Sequence, residues 1–417
     1  MTVSPRDPRA VVEAVWRLES GRIVAGVARL VRDVGLAEDL AQDALVAALD
    51  EWPRRGVPPN PGAWLMLTAR HRAIDRLRRD DRLADNLRLI GQDLRSRASD
   101  DAFADVDEVL TEGVDDDLLR LIFTACHPAL TTESQVALTL RVLGGLSTEE
   151  IARPYLIGEA TVAQRISRAK RTLTERRIGF EVPPAAEQEQ RLAAVLRMVY
   201  LIYNEGYTAT SGESWSRPEL CYEALRLGRM LAGWASNEPE VHGLVALMEI
   251  QSSRLTARVG TNGAPIALLD QDRTQWDPLL IRRGFRALLR ARDLDGRGPY
   301  VLQAAIAACH AQARRPGDTD WVQIAALYDQ LALLTPGPVV QLNRAVAVSF
   351  VDGPAAGLRV VDDITGLDGY HPLHSVRADL LTRLGRLDEA REQLQRAAAL
   401  TRNTQEQEAL LARRSDL

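Results

Sequence analysis

The segment that most restricts the fold of this chain spans residues 146–176, because it predicts two short helices joined by a turn. Ser147 and Glu150 have the spacing of a capping box, which starts the first helix, and Pro154 should end that helix early. Gly158 is an acceptable cap for the second helix. On a helical wheel, the second helix has an apolar stripe formed by Val162, Ile166, Ala169 and Leu173. Its polar side can bind base edges or phosphates, and the alternative is an ordinary amphipathic helix with a solvated basic face.

A second helical block with a basic end lies upstream, at residues 63–79. Its wheel groups Ala63, Leu67, Ile74 and Leu77 on a predicted apolar side. Trp64 points the other way, beside several arginines. An outward Trp can stack on an unpaired base while guanidinium groups hold phosphates. The alternative is that Trp64 belongs to the core, which is the usual place of a single Trp.

A third helix, at residues 35–49, has an acidic side. The acidic side consists of Glu38, Asp39, Gln42 and Asp43. Carboxylates next to a DNA-binding helix would repel phosphate, so we expect this side to contact a protein. The alternative is a solvated charged face.

The order and spacing of these three blocks resemble a sigma-70 family initiation factor. The closer resemblance is to the extracytoplasmic-function type, which keeps only the region-2 and region-4 domains, and it covers about residues 8–180. The resemblance implies an all-α fold and two partners, core RNA polymerase (its β′ clamp helices and β flap) and promoter DNA. It implies boundaries at 8–80 for region 2, 81–114 for a linker and 115–180 for region 4.

The same resemblance assigns roles to individual residues. It places contacts with the β′ clamp helices at Glu38, Asp39, Gln42 and Asp43. It places −10 recognition and melting, including a base-capturing loop at 52–60, at Trp52, Arg54, Arg55, Asn60, Trp64, Thr68, Arg72, Arg76 and Arg79. It places −35 recognition at Thr161, Gln164, Arg165, Arg168, Lys170 and Arg171.

The linker is strongly acidic. From Ser99 to Asp117 there are nine carboxylates and no Lys or Arg, which favours an extended segment. Two interpretations stay open: a nucleic-acid mimic that threads a positive channel of polymerase, as linkers of the resembled family do, or a solvated tether.

Residues 183–417 exceed what the two sigma domains need, and their composition favours helices. Two segments, 342–361 and 376–394, align with an offset of 33, so that Arg344 overlays Arg377 and Gly357 overlays Ala390. That period resembles tetratricopeptide repeats. Stacked repeats leave a concave surface for a ligand.

The opening of this extension, residues 197–213, places polar groups inside an apolar helix pattern. It resembles the C-terminal module of one extracytoplasmic-function subgroup, in which the module regulates the sigma factor in cis. The motif residues are Tyr203, Asn204, Glu205 and Tyr207. A protein or small molecule would act on this module. An enzyme centred on Glu205 is a weaker interpretation, because no second carboxylate or nucleophile is paired with it.

Other features limit the possibilities further. Three separated Cys residues predict neither disulfides nor a metal site, and no cofactor is expected. The first residues have no apolar signal core and no long apolar run follows, which predicts a cytoplasmic protein. The net charge of −5 suits DNA contacts confined to small patches.

Together these features predict an all-α alternative sigma factor that is not an enzyme. The alternative is a stand-alone transcription regulator, with a helix-turn-helix and a repeat-based sensor, that never binds polymerase. The acidic side of residues 38–43 separates the two hypotheses, since only a sigma factor needs it.

Overall fold

A computed structural model describes residues 8–91, 114–155, 157–209, 211–212, 214–260 and 263–417. These residues are almost wholly helical, which confirms the all-α prediction. Most of the predicted acidic linker lies outside the described residues, so its two interpretations stay open. The chain divides into two compact units, Met1–Arg153 with Ile157–Met198, and Pro154–Leu156 with Val199–Leu417.

The first unit, which we call the sigma unit, is built from seven helices and the start of an eighth. They are α1 (Pro8–Val31), α2 (Val34–Arg55), α3 (Pro61–Gly91), α4 (Val114–Ala125), α5 (Thr132–Val142), α6 (Thr148–Tyr155), α7 (Glu159–Glu175) and α8 (Ala185–Tyr207). Helix α1 is central and packs against α2, α3 and α4. Its buried residues Val12, Trp16, Ile23 and Val27 provide the apolar contacts.

The helix ends of this unit have local chemical causes. The Asp33 carboxylate accepts a hydrogen bond from the Leu36 amide at 2.8 Å and caps α2. The capping box predicted before α6 is confirmed, because the Glu150 amide donates to Ser147 Oγ at 3.1 Å and the Ser147 amide donates to Glu150 at 2.8 Å. Gly158 caps α7, as predicted.

Three sequence-based expectations are wrong here. Helix α6 includes Pro154 and ends at Tyr155, so the proline does not stop it early. Helix α2 continues to Arg55 and ends at Gly56, whose φ of +85° turns the chain. Residues 52–55 are therefore helical, and the predicted 52–60 loop is reduced to five residues. Helix α3 also continues to Gly91, inside the segment expected to be linker.

The buried side of α3 also differs from the prediction. Leu67 is half exposed, and Ala63 is exposed. Helix α3 instead buries Leu65, Ala69 and Ala73. Alanine side chains let α3 approach α1 and α2 closely, and close packing outweighs the greater apolar area of Leu67.

The second unit, which we call the extension, begins within α8 at Val199. Its further helices are α9 (Pro218–Trp234), α10 (Pro239–Ser252), α11 (Pro278–Asp293), α12 (Pro299–Gln312), α13 (Trp321–Leu334), α14 (Pro338–Val351), α15 (Pro354–Asp362), α16 (His371–Arg383), α17 (Leu387–Leu400) and α18 (Thr404–Ser415). Two strands, β1 (Ser211–Gly212) and β2 (Arg402–Asn403), pair in parallel. Helix α10 is buried almost all round between α9, α11 and α12, as expected for a helix that is apolar on every side.

Two successive helix pairs of the extension repeat the same arrangement. Helices α14 and α15 begin at Pro338 and Pro354, and α16 and α17 begin at His371 and Leu387, so each start recurs after 33 residues. An ion pair recurs with the same offset. Arg344 contacts Asp329 at 2.6 Å, and Arg377 contacts Asp362 at 2.9 Å.

A small residue occupies the close contact of each pair. At Gly357 of α15, an added Cβ would lie 2.8 Å from the carbonyl oxygen of Ala345 in α14. Ala390 occupies the matching position of α17 and is fully buried. The offset of 33 in the sequence therefore corresponds to an offset of 33 in helix position.

Gly206, near the end of α8, gives a stability prediction. A Cβ there would lie 2.7 Å from the Cys221 amide nitrogen and 2.9 Å from the Arg217 carbonyl oxygen, and neither backbone atom can rotate away. We expect Gly206→Ala to lower the free energy of unfolding by about 2–3 kcal/mol, measured by urea denaturation. Gly233→Ala is the matched control, because a Cβ at Gly233 meets nothing within 4 Å. Equal stability of the two variants would contradict this packing.

Candidate functional site: polymerase and promoter surfaces

Helix α7 has the amphipathic arrangement that its sequence predicts. Val162, Ile166, Ala169 and Leu173 are all buried, and Ile151 and Ala152 of α6 are buried with them. On the other side, Thr161, Gln164, Arg168 and Arg171 are exposed, and Arg165 is half-buried. A helix of this kind, packed through one stripe, can present its polar face to the major groove.

Lys170 is the exception on α7. Its ammonium donates a hydrogen bond to Asp39 of α2 at 2.7 Å and also contacts Glu38 of α2. Burial alone would lower the pKa of Lys170, but Glu38 and Asp39 outweigh it and raise the pKa above its ordinary value. Lys170 is therefore engaged by carboxylates rather than open to phosphate.

The acidic side of α2 is divided. Glu38 is only 4% exposed, and Arg141 of α5 donates its Nε to the Glu38 carboxylate at 2.7 Å. Asp39 and Asp43 are mainly exposed, although Arg72 of α3 lies 3.5 Å from Asp43. Gln42 lines a cavity of about 410 Å³ together with Trp16 and Arg141. The expectation that all four side chains face outward is wrong for Glu38, because two cations of the same unit neutralise it.

Sequence analysis missed Arg141. It lies 103 residues from Glu38 along the chain, and its guanidinium also donates to the Leu146 carbonyl at 3.1 Å. Nothing in the local pattern distinguishes it from the many other arginines of the chain. Only the packing of α5 beside α2 and α7 reveals its role.

The residues predicted for the −10 element fall into two groups. Trp52 is buried, and its ring packs edge-on against Trp64, with centroids 5.6 Å apart. Trp64 is half-buried, so it retains one accessible side. The outward position predicted for Trp64 and its core alternative thus each apply in part.

The remaining predicted −10 residues are mostly accessible. Arg76 and Arg79 of α3 are exposed, whereas Thr68 and Arg72 are half-buried. Arg54 and Arg55 are exposed and lie near Asp50 and Glu51 of the same helix. Asn60 accepts a hydrogen bond from the Ala63 amide at 3.1 Å, so it caps α3 in the structure.

The motif of the extension is internal. The Tyr203 hydroxyl lies 3.2 Å from the Met248 carbonyl and 3.0 Å from Ser252 Oγ. Glu205 is buried and forms an ion pair with Arg217. The Arg258 guanidinium lies 3.5 Å above the Tyr207 ring, and its Nη1 donates to the Tyr207 carbonyl. These contacts are those of a packed helix end.

The last helices of the extension hold the loop that follows this motif. Asn403 is almost fully buried, and its amide donates to the carbonyls of Ala209 at 3.3 Å and Ser214 at 2.8 Å. The β1–β2 pairing joins the same two segments. The beginning and the end of the extension are thereby held together.

Asn204 occupies a less buried position in the motif. Its side chain hydrogen-bonds to Tyr200 and is half-buried, and its carbonyl accepts from the Thr208 amide at 2.9 Å. All four motif residues therefore have contacts within the extension.

Metal and membrane features were also considered. Within the described ranges, no group of three or more His, Cys, Asp and Glu side chains is arranged to hold a metal ion. The three cysteines are buried free thiols. None of the helices in the described part of the chain has the length and apolar character needed to cross a membrane.

Comparison with known families matches three segments. Residues 17–83 match sigma-70 region 2, and residues 120–173 match sigma-70 region 4. Residues 191–292 match a family of unknown function, DUF6596.

Comparison with curated proteins finds relatives of two kinds. "ECF RNA polymerase sigma factor SigC" of Mycobacterium tuberculosis is 31% identical over 171 residues, which cover 40% of this chain and 78% of that protein. The chain belongs to the extracytoplasmic-function (ECF) group of the sigma-70 family. A "Probable ECF RNA polymerase sigma factor SigI" of the same species is 28% identical over 183 residues, 44% of this chain and 60% of SigI.

This ECF sigma factor also has a relative that includes the extension. "Uncharacterized protein R00370" of Rhizobium meliloti is 44% identical over 379 residues, which cover 91% of this chain and 89% of that protein. No solved structure matches the chain. The sigma-70 domains make it an RNA polymerase sigma factor that acts in transcription initiation with core polymerase and promoter DNA. This family is not one of catalytic enzymes.

His310, next to Cys309 in α12, gives a prediction of pH dependence. Burial, with Arg254 and Arg273 nearby, lowers the pKa of His310 to about 4. An unfolded His titrates near 6.5, so the unfolded chain takes up the proton first as the pH falls. We expect the contribution of His310 to stability to be complete above pH 6.5 and to fall by about 3 kcal/mol towards pH 4.

The measurement is urea unfolding of the wild type and His310→Gln between pH 4 and 8. The variant should lose part of the decline in stability below pH 6.5. Identical pH profiles for the two proteins would show that His310 is not held neutral.

Proposed function

We propose that this chain is an alternative sigma factor that recognises the −35 element through α7, melts the −10 element through α3, and is regulated in cis by its extension. The observation that supports this proposal most is α7, which is packed through one apolar stripe and leaves Thr161, Gln164 and Arg168 exposed. Gln can pair with adenine and Arg with guanine in the major groove. Arg171 and Arg165 extend the same surface towards the phosphates.

At the −10 element, we assign strand capture to the end of α2 and to α3. Because Trp52 is buried, Trp64 is the aromatic ring available to stack on an unpaired base. Arg76 and Arg79, both exposed on α3, would bind the backbone of the melted strand. The short loop 56–60 lies between these two helices and is the place we propose for a flipped base.

For polymerase docking, we assign α2, with Asp39 and Asp43 as its exposed carboxylates, to the β′ clamp helices. Region 4 would contact the β flap. Binding to core polymerase separates this proposal from the stand-alone regulator, which has no use for an acidic α2.

We propose that the extension is a tetratricopeptide-like module. The recurrence of helix starts and of the Arg–Asp ion pair after 33 residues supports this. A module of stacked helix pairs suits a peptide or small-molecule ligand on its concave side. Cis regulation is supported by α8, a single helix whose residues up to Met198 belong to the sigma unit and whose later residues belong to the extension.

The −35 assignment is tested with Gln164→Ala combined with Arg168→Ala in the full chain. We expect the double variant to bind core polymerase normally but to lose about 2–4 kcal/mol of promoter binding energy, since each base pairing contributes about 1–3 kcal/mol. Electrophoretic mobility of the holoenzyme on promoter DNA measures this.

The matched control is Arg176→Ala, because Arg176 is exposed but lies beyond the end of α7. Equal loss in the control would show a general charge effect instead of base recognition. If the wild type fails to co-elute with core polymerase, the stand-alone regulator becomes the better hypothesis.

Cis regulation is tested with Glu205→Gln, which leaves the buried Arg217 guanidinium without its anionic partner. Breaking a buried ion pair costs about 3–5 kcal/mol, so we expect the start of the extension to loosen and run-off transcription to change several-fold. Asp388→Asn is the control, since it breaks an exposed ion pair with Arg391 in α17. Unchanged transcription by a demonstrably loosened Glu205→Gln protein would contradict cis regulation.

A further inference from the structure

The contacts between α2 and the region-4 helices concern the same side chains to which polymerase and promoter binding are assigned. Glu38 is nearly fully buried, and its two partners, Arg141 and Lys170, come from α5 and α7. Lys170 also binds Asp39 at 2.7 Å. Two carboxylates and two cations thus form a closed cluster, which we call the α2–α7 latch: Glu38, Asp39, Arg141 and Lys170.

The latch is charge-balanced and partly removed from water. Both Arg141 and Lys170 have side chains that are 18% exposed, and Glu38 is less exposed still. A buried carboxylate is stable only with its counterions in place, so Glu38 cannot lose both partners without replacement. Any protein that separates α2 from α7 must either supply cations to Glu38 or return it to water.

Further contacts within the sigma unit close the same interface. Thr174 of α7 donates to the Asp33 carboxylate at 2.8 Å, next to the start of α2. Arg29 of α1 lies 3.5 Å from Asp117 of α4, and Arg17 of α1 pairs with Glu150 of α6. The cations and carboxylates of regions 2 and 4 are therefore matched along the interface.

This arrangement is incompatible with the assigned roles of its members. While Glu38 and Asp39 bind Lys170, they are not free to contact the β′ clamp helices. While Lys170 is held by two carboxylates, it is not free to contact DNA phosphate. The two sets of contacts exclude each other, since each uses the same charged atoms.

We infer that the α2–α7 latch is an autoinhibitory contact, which holds the sigma unit closed until the clamp helices of core polymerase compete for Glu38 and Asp39. The inference rests on the proposed polymerase docking through α2. It adds a competitor inside the chain, and it explains why Glu38 is buried rather than displayed. Opening of the latch exposes the docking carboxylates and frees Lys170 in one step.

The closed state is tested without polymerase, by distance measurements between spin labels on Val46→Cys in α2 and Ser167→Cys in α7 of the full chain. Both positions are exposed. The native thiols are buried, and burial raises the pKa of Cys126 to about 11, of Cys221 to about 12 and of Cys309 to about 11, so labelling is selective. We expect one narrow, short distance distribution in the free protein, and a long one after core polymerase is added.

The latch itself is tested with Arg141→Gln, a residue to which no polymerase or promoter contact is assigned. The variant should broaden the label distances and bind core polymerase about tenfold more tightly, which equals about 1.4 kcal/mol. Arg386→Gln is the matched control, because Arg386 pairs with Glu389 on the surface of the extension. The control should leave both measurements unchanged.

The possible results are distinguishable. A broad or long distribution in the wild type overturns the closed state, and an Arg141→Gln protein with unchanged distances or unchanged polymerase affinity overturns the latch. If no variant binds core polymerase, the proposed docking function fails, and the label distances alone then show whether the closed state exists.

Discussion

Burial of the Glu38 carboxylate is the constraint on which the arrangement of the sigma unit depends. A carboxylate with so little exposure requires counterions, and the chain supplies Arg141 from α5 and Lys170 from α7. Because the two cations lie on different helices, α5 and α7 are oriented with respect to α2 as well as to each other. One buried charge thereby relates region 2 to region 4.

The extension solves a related problem with arginine. Its helix ends leave carbonyl groups without partners inside the helix, and arginine side chains bind several of them. Arg273 donates to the carbonyl of Ala313 at 2.6 Å, just beyond α12. Arg383 donates to the carbonyl and hydroxyl of Ser349 near the end of α14, at 2.9 and 2.8 Å. Each guanidinium can bind two acceptors in one plane, which suits a protein whose helices are short and whose cations are nearly all arginine.

How much the sequence reveals depends on how far apart the interacting residues are. The capping box of Ser147 and Glu150 and the stripe from Val162 to Leu173 involve neighbours within one or two helical turns, and both are confirmed. The recurrence after 33 residues is also local, since each helix pair repeats its own contacts. These features follow from the periodicity of a single helix or pair.

The features that could not be predicted require knowledge of what each helix packs against. Leu67 is larger and more apolar than Ala69, yet α3 buries Ala69 because close approach to α1 and α2 leaves no room for leucine. Trp52 was expected in a loop, but α2 continues past it and buries it. Glu38 has the same local pattern as Asp39, and only the distant Arg141 distinguishes the two.

The identity of residue 170 also acquires a physical reason. Of the 52 Lys and Arg residues in this chain, only Lys170 is lysine. Widespread use of arginine is explained by nucleotide composition, which gives no reason for the exception. A guanidinium has a rigid planar fork, whereas an ammonium is compact and donates in three directions. At position 170 one cation contacts two carboxylates from successive residues of α2, Glu38 and Asp39. The compact ammonium suits this bridging position between α7 and α2, and a lysine can also leave it without breaking a bidentate pair, as a contact that must open requires.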